Sequence, residues 1–310
     1  MSKNNNPVEQ LLKEKPYILL DGALATELER HGSHLDDPLW SARVLVEEPE
    51  QIHRVHADYF KIGADCAITS SYQASVAGFS SRGIKEEDAI ELMKQTVYLA
   101  QQARTETEQA AGHALIAGSI GPYGAYLSDG SEYIGHYGVD DAQLEAFHRP
   151  RLKALIAAGA DVLAFETIPS LQEAEVLFRL LEAFPEQSAW LAFSLRDATH
   201  ISEGTTLAEC IDALGDHPQL AAIGANCFPA SIATAFITGL KRLTDVPIIV
   251  YPNSGEHYDP VSKTWSGDTA CTAFEDIAPE WYAAGARLIG GCCRTTPEQI
   301  ERIQQKVTFI

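Results

Sequence analysis

Apolar positions along the chain fall into two rhythms that alternate from end to end. One is a short continuous run, found at Tyr17 to Leu20, Cys66 to Thr69, Ala114 to Gly118, Val162 to Phe165, Trp190 to Ser194, Ala221 to Gly224, Pro247 to Val250 and Arg287 to Ile289. Runs this short, bounded by polar or turn residues, predict buried strands. The other is helical spacing, as in Ile52, Val55, Tyr59 and Ile62. It predicts helices over roughly Glu86 to Ala111, Asp140 to Ala158, Ser170 to Phe184, Leu207 to Leu214, Ser231 to Leu243 and Cys271 to Ala284. A phrase recurs at three junctions: Gly63-Ala64-Asp65 before Cys66, Gly159-Ala160-Asp161 before Val162, and Gly285-Ala286-Arg287 before Leu288. Each closes a helical stretch and opens a strand, the place where a helix commonly ends on glycine.

Eight such units predict an α/β fold, a single-domain (β/α)8 TIM barrel spanning residues 1–310. An open doubly wound sheet with one strand miscounted is the competing topology. No Gly/Ser/Pro linker or shift of composition divides the chain. Residues 1–10 open on an Asn-rich stretch and are expected to form a flexible arm. The segments Ser119 to Gly138 and Tyr251 to Gly267 are long and rich in Gly, Tyr and Pro. In a barrel they would wall the active site.

Composition narrows the class. Apolar residues make up 45% of the chain, ordinary for a globular protein. No uninterrupted apolar run of about 18 residues predicts a membrane span, and the N-terminus lacks a secretory profile, so a cytoplasmic protein is expected. A formal charge of −20 repels nucleic acid and anionic membranes. Small molecules, cationic ones included, remain as partners; nothing in the pattern bears on oligomeric state. The six cysteines form no C-x-x-C pair and are expected to be thiols, not a disulfide framework. Cys66, Cys210 and Cys271 read as structural filler.

The chemistry gathers at the strand ends. Cys292 and Cys293 follow the last apolar run in Gly290-Gly291-Cys292-Cys293-Arg294-Thr295-Thr296-Pro297, and Cys227 follows the sixth. Three thiolates converging from two strand ends suit a soft metal ion such as zinc, with one position open for a substrate thiol. The other strands end on Asp21-Gly22, Thr69-Ser70, Ser119, Glu166-Thr167, Arg196-Asp197, Asn226 and Asn253. Asp21 and Glu166 would grip an ammonium group, while backbone near Gly22 and the Thr69 hydroxyl would hold a carboxylate. Taken singly, Asp21-Gly22 also reads as a turn, Glu166 as a salt-bridged strand end and Thr69-Ser70 as a helix cap; their coincidence at strand ends favours a site.

These residues resemble the zinc-dependent homocysteine S-methyltransferases, which share a domain with cobalamin-dependent methionine synthase and betaine-homocysteine methyltransferase. The likeness rests on Leu20-Asp21-Gly22-Ala23, Asn226-Cys227 and Gly290-Gly291-Cys292-Cys293, and it covers essentially the whole chain. Thr69-Ser70-Ser71-Tyr72-Gln73-Ala74, Gly118-Ser119-Ile120-Gly121-Pro122-Tyr123-Gly124, Phe165-Glu166-Thr167 and Tyr251-Pro252-Asn253-Ser254-Gly255-Glu256 are similar to the subgroup that uses S-methylmethionine or S-adenosylmethionine. The resemblance implies a (β/α)8 barrel and zinc on Cys227, Cys292 and Cys293. It further implies homocysteine as acceptor, with Asp21 and Glu166 on its amino group and Gly22, Thr69 and Asn226 among the substrate contacts. The reaction it implies is displacement of a neutral thioether by a thiolate, yielding methionine. Tyr72, Tyr123, Tyr126, Asp129 and Glu256 are candidates to face the sulfonium charge. Betaine as donor, selenocysteine as acceptor, or a thiol redox or zinc protein without turnover are the rival readings.

Overall fold

Each of the eight apolar runs forms a strand: β1 (Ile18–Leu19), β2 (Cys66–Ile68), β3 (Leu115–Ile120), β4 (Val162–Ile168), β5 (Ala189–Phe193), β6 (Leu220–Pro229), β7 (Ile248–Asn253) and β8 (Ala286–Ile289). The computed structural model describes residues 6–33, 41–107, 113–255, 257–259, 264–266 and 274–307. All eight strands pair in parallel, β2 through β8 in sequence order and then β8 with β1. A parallel bridge between Leu20 and Cys66 joins β1 to β2. The sheet is therefore a closed barrel, not an open doubly wound one.

Alternation along the strands divides the apolar residues into two layers. Leu20, Cys66, Val162, Trp190, Ile249 and Leu288 belong to one buried cluster that fills the barrel. Leu19, Ile116, Leu163, Leu191, Ile223 and Ile289 belong to another, shared with the surrounding helices. The recurring glycines do what their positions predict: Gly63, Gly159 and Gly285 have φ of 92°, 84° and 124°, left-handed conformations that end a helix and turn it into a strand. At Gly224 on β6 the requirement is space, because a Cβ there would lie 1.7 Å from the Ile249 carbonyl oxygen. Gly224→Ala is expected to destabilise the fold by about 3 kcal/mol or more, read as a lowered urea midpoint with unchanged slope.

The expected arm at residues 1–10 is corrected beyond its first five residues, which lie outside the described ones. Pro7–Glu14 is a helix whose first turn is capped by Asn6, the Asn6 side chain accepting from the Val8 and Glu9 amides. Its Val8 and Leu11 join the barrel-filling cluster, so the segment is held by apolar burial. The helix expected to reach Ala111 runs Glu86–Glu106, and Cys271 lies outside the described residues. Cys66 and Cys210 are buried free cysteines, as filler should be. Burial raises both thiols, Cys210 to about 12. Small antiparallel hairpins, Leu195–Asp197 with His200–Ile201 and His257–Asp259 with Thr264–Ser266, follow β5 and β7. No helix of the described residues is long and apolar enough to cross a membrane.

Candidate functional site

Strands β4, β6 and β7 run further than their apolar cores, and this extension carries the polar motifs into the barrel mouth. Pairing slips between Phe165 and Ile168 on β4 and between Asn226 and Pro229 on β6. Such irregularities re-aim side chains. Within them, Thr167 and Cys227 adopt φ of 59° and 54°. A left-handed backbone is unfavourable for any side chain and most so for a β-branched one, at a cost of about 1–3 kcal/mol. Asn226 holds the two strained segments together: its Oδ1 accepts from the Thr167 amide at 2.7 Å and its Nδ2 donates to the Thr167 hydroxyl at 2.8 Å. Glu166 precedes Thr167 and Cys227 follows Asn226, so the clasp holds together the two backbone segments that carry them.

The three cysteines converge as their strand-end positions predict. Their sulfurs all lie within 4.8 Å of one another. Cys293 Sγ is 3.6 Å from that of Cys227 and 3.9 Å from that of Cys292. Cys227 and Cys292 are joined as a disulfide, which corrects the expectation of six free thiols; sulfurs gathered closely enough for one soft ion are also within reach of each other. The turn carrying Cys292 and Cys293 is tied to two strands. Cys292 donates its amide to Pro252 at 2.8 Å, and the Thr295 hydroxyl donates to the Cys292 carbonyl at 2.7 Å while accepting from the Ala23 amide just after β1. Burial pushes the Cys293 thiol up to about 12, the Glu166 charge adding to it. Burial of this kind disfavours a thiolate that has no cation beside it, and a set of three soft donors fits zinc in the reduced protein.

Two buried carboxyls face the same mouth. Asp21 is 4% exposed and Glu166 7%. Asp21 Oδ2 accepts from the Ile68 amide at 2.8 Å. Burial lifts its pKa well above the usual carboxylate range, and the Glu166 charge raises it further. Glu166 accepts from the Ser119 hydroxyl through Oε1 and from the Tyr251 hydroxyl at 3.1 Å through Oε2. Burial nevertheless brings its pKa up to about 7. Tyr251 itself accepts from the Trp190 indole at 3.3 Å. Sequence reading missed this Tyr251 contact, although Tyr251 follows inward-facing Ile249 by two residues and so points into the barrel.

The remaining expected site residues differ in how much of their polarity faces the cavity. The Thr69 hydroxyl accepts from the Ser119 amide at 2.9 Å and shares a hydrogen with Ser71, whose hydroxyl bonds the Ser119 carbonyl. Thr69 thus braces β2 against β3. Gly22 lies beneath Tyr59 and Thr295, where a Cβ would meet either oxygen at 2.7 Å. Of the residues considered for a sulfonium charge, Asp129 is exposed and accepts from the Ser131 amide and hydroxyl, which takes it out of the mouth. Tyr123 and Tyr126 stack with each other and with Phe147 in a packing cluster, and Glu256 lies outside the described residues. Tyr72 does border the site, its hydroxyl bonded to the Thr167 side chain.

A closed barrel that presents converging sulfurs and buried carboxylates at the C-terminal ends of its strands is an enzyme scaffold. A family model described as homocysteine S-methyltransferase matches residues 18–307. The chain is 54% identical over 304 residues to homocysteine S-methyltransferase YbgG of Bacillus subtilis, covering 96% of each. Two crystal structures of the homocysteine methyltransferase MmuM from Escherichia coli match at a TM-score of 0.89, an oxidized form at 49% identity and a metallated form at 48%. In both, 97% of this chain covers 100% of the other. The chain belongs to the homocysteine S-methyltransferase family, and the protein is a methyltransferase.

Proposed function

We propose that the protein moves a methyl group from a sulfonium donor, S-methylmethionine or S-adenosylmethionine, to the thiolate of L-homocysteine, forming methionine. The observation that carries this reading is the meeting of Cys227, Cys292 and Cys293 with the buried Asp21 and Glu166 at one mouth. Zinc on the three cysteines would act as a Lewis acid that keeps a substrate thiol deprotonated near neutral pH. Asp21 and Glu166, when ionised, pair with the homocysteine ammonium, and Gly22, Thr69 and Asn226 shape the wall against which the amino acid lies. A sulfonium donor leaves as a neutral thioether, so the chain needs no general acid. Its contribution is alignment in a dry cavity, which is worth on the order of 7 kcal/mol when two reactants are held in line.

Reduced, zinc-loaded protein is expected to form methionine from homocysteine with S-methylmethionine or S-adenosylmethionine, and at least tenfold more slowly with betaine at equal concentration. Selenocysteine in place of homocysteine tests the acceptor in the same assay. Absence of methionine with every donor would remove this reading.

A further inference from the structure

The loop after β3 folds over the mouth as a helix, Tyr123–Leu127, followed by a single 3-10 turn, Ser131–Tyr133. Two contacts fix the backbone at Glu132. The Ser194 hydroxyl, just past β5, donates to the Glu132 carbonyl at 2.8 Å, and the Glu132 amide sits so near Gly124 that a Cβ there would come within 2.5 Å. The side chain turns inward, with Oε2 buried and without a hydrogen-bond partner among the described residues. The Glu132 backbone packs with Gly124 against the Tyr137 ring and is held by Ser194 at the end of β5, which puts it on the strand-end side of the barrel, and its charge raises the hydroxyls of Tyr72 and Tyr137.

No cation of the described residues answers this carboxyl. Burial raises its pKa against a hydrogen bond from its own amide, and the charge that acts on it, that of Asp129, has the same sign. The buried Arg151 behind Tyr72 spends its guanidinium on the Tyr72 carbonyl at 2.7 Å, the Gly121 carbonyl at 2.6 Å and His148 at 3.0 Å. Gly121 in turn lies against the Tyr72 ring, where a Cβ would meet it at 2.6 Å. Arg151 therefore fixes the wall and leaves the charge of Glu132 unanswered. A desolvated carboxylate without a counterion is costly, and a cationic ligand would relieve it.

Charge balance shows which ligand. Homocysteine brings an ammonium and a carboxylate that cancel; a sulfonium amino acid brings the same pair and a sulfonium besides, one net positive charge. With Asp21 and Glu166 assigned to the homocysteine ammonium, the inward carboxyl left for the donor's extra charge is Glu132. Resting on the reading that the donor is a sulfonium, we infer that Glu132 is the donor's counterion and a determinant of specificity for cationic donors, beside the face of Tyr72. Its effect is on binding. The positive charge disperses as the methyl group leaves, so an anion beside it holds the bound donor at least as strongly as the transition state and lowers KM without raising kcat.

The test is steady-state kinetics of reduced, zinc-loaded E132Q with S-methylmethionine varied at saturating homocysteine, and the reverse. The donor KM is expected to rise at least tenfold, with kcat equal or slightly higher and both homocysteine KM and zinc content within twofold of the wild type. A donor KM that stays put, or that rises together with the homocysteine KM, overturns the inference alone. A wild type that makes no methionine from S-methylmethionine removes both the sulfonium reading and this one. E132D serves if E132Q does not fold: the retained charge should limit the rise in donor KM below tenfold, and a rise in homocysteine KM instead overturns the assignment.

Discussion

Cys292→Ala is expected to lose its zinc and fall to background turnover while the barrel stays folded. Cys292 sits beyond the last residue of β8 and is partly exposed, so the lost side chain leaves no large cavity. The cost to stability should be about 1 kcal/mol or less. The proposed metal site would suffer far more, because two remaining thiols are too few to hold zinc. Metal content after dialysis, far-UV circular dichroism and methionine formation read the three quantities separately. The comparison is with fully reduced wild type, since the joined Cys227 and Cys292 also remove two ligands. A variant that keeps a full equivalent of zinc would show that Cys292 is not a ligand.

How much of this was legible in the sequence depends on how local the cause is. Every strand was visible, because a buried parallel strand needs a continuous apolar run. Glycines at positions 63, 159 and 285 marked the helix ends that lead into strands. The sulfur cluster was legible at one remove: once eight strands are counted, Cys227 and Cys293 fall at the same end of β6 and β8, strands separated by β7 alone. Closure does not show what polar groups do to each other across tens of residues. The Asn226 clasp on Thr167 joins positions 59 apart, and the strained backbone it stabilises has no signature in composition. Glu132 carries no local mark in its Gly-, Tyr- and Pro-rich segment, and the anchoring of its backbone by Ser194 and beside Gly124 turns it inward. The neighbouring Asp129, the candidate the sequence offered for the sulfonium charge, folds back on Ser131 in solvent. At the N-terminus the signal was present and local, Asn6-Pro7 followed by Val8 and Leu11 at helical spacing, and the Asn-rich start obscured it.

Glu166→Gln should raise the homocysteine KM roughly 30- to 100-fold, the loss of about 2–3 kcal/mol for a charge-assisted contact in a desolvated site. The donor KM should move less than threefold. Glutamine keeps an acceptor for Ser119 and another polar group near Tyr251, so the change removes charge with little loss of shape. The raised pKa adds a pH signature whose sign is fixed. With a pKa of about 7, Glu166 is mostly neutral at pH 6 and ionised at pH 8, so the wild-type site gains affinity for an ammonium as pH rises through that range. The folded state meanwhile loses stability between the unfolded value of 4.5 and about 7, because the unfolded chain gives up the proton first. Methionine is the right probe, since it carries the ammonium and carboxylate without a titrating thiol. Calorimetry should show wild-type affinity for methionine rising several-fold from pH 6 to 7.5 and a much flatter profile in the variant. The opposite split, a raised donor KM with homocysteine unaffected, would mean that Glu166 serves the donor and that the two substrates occupy each other's assigned walls.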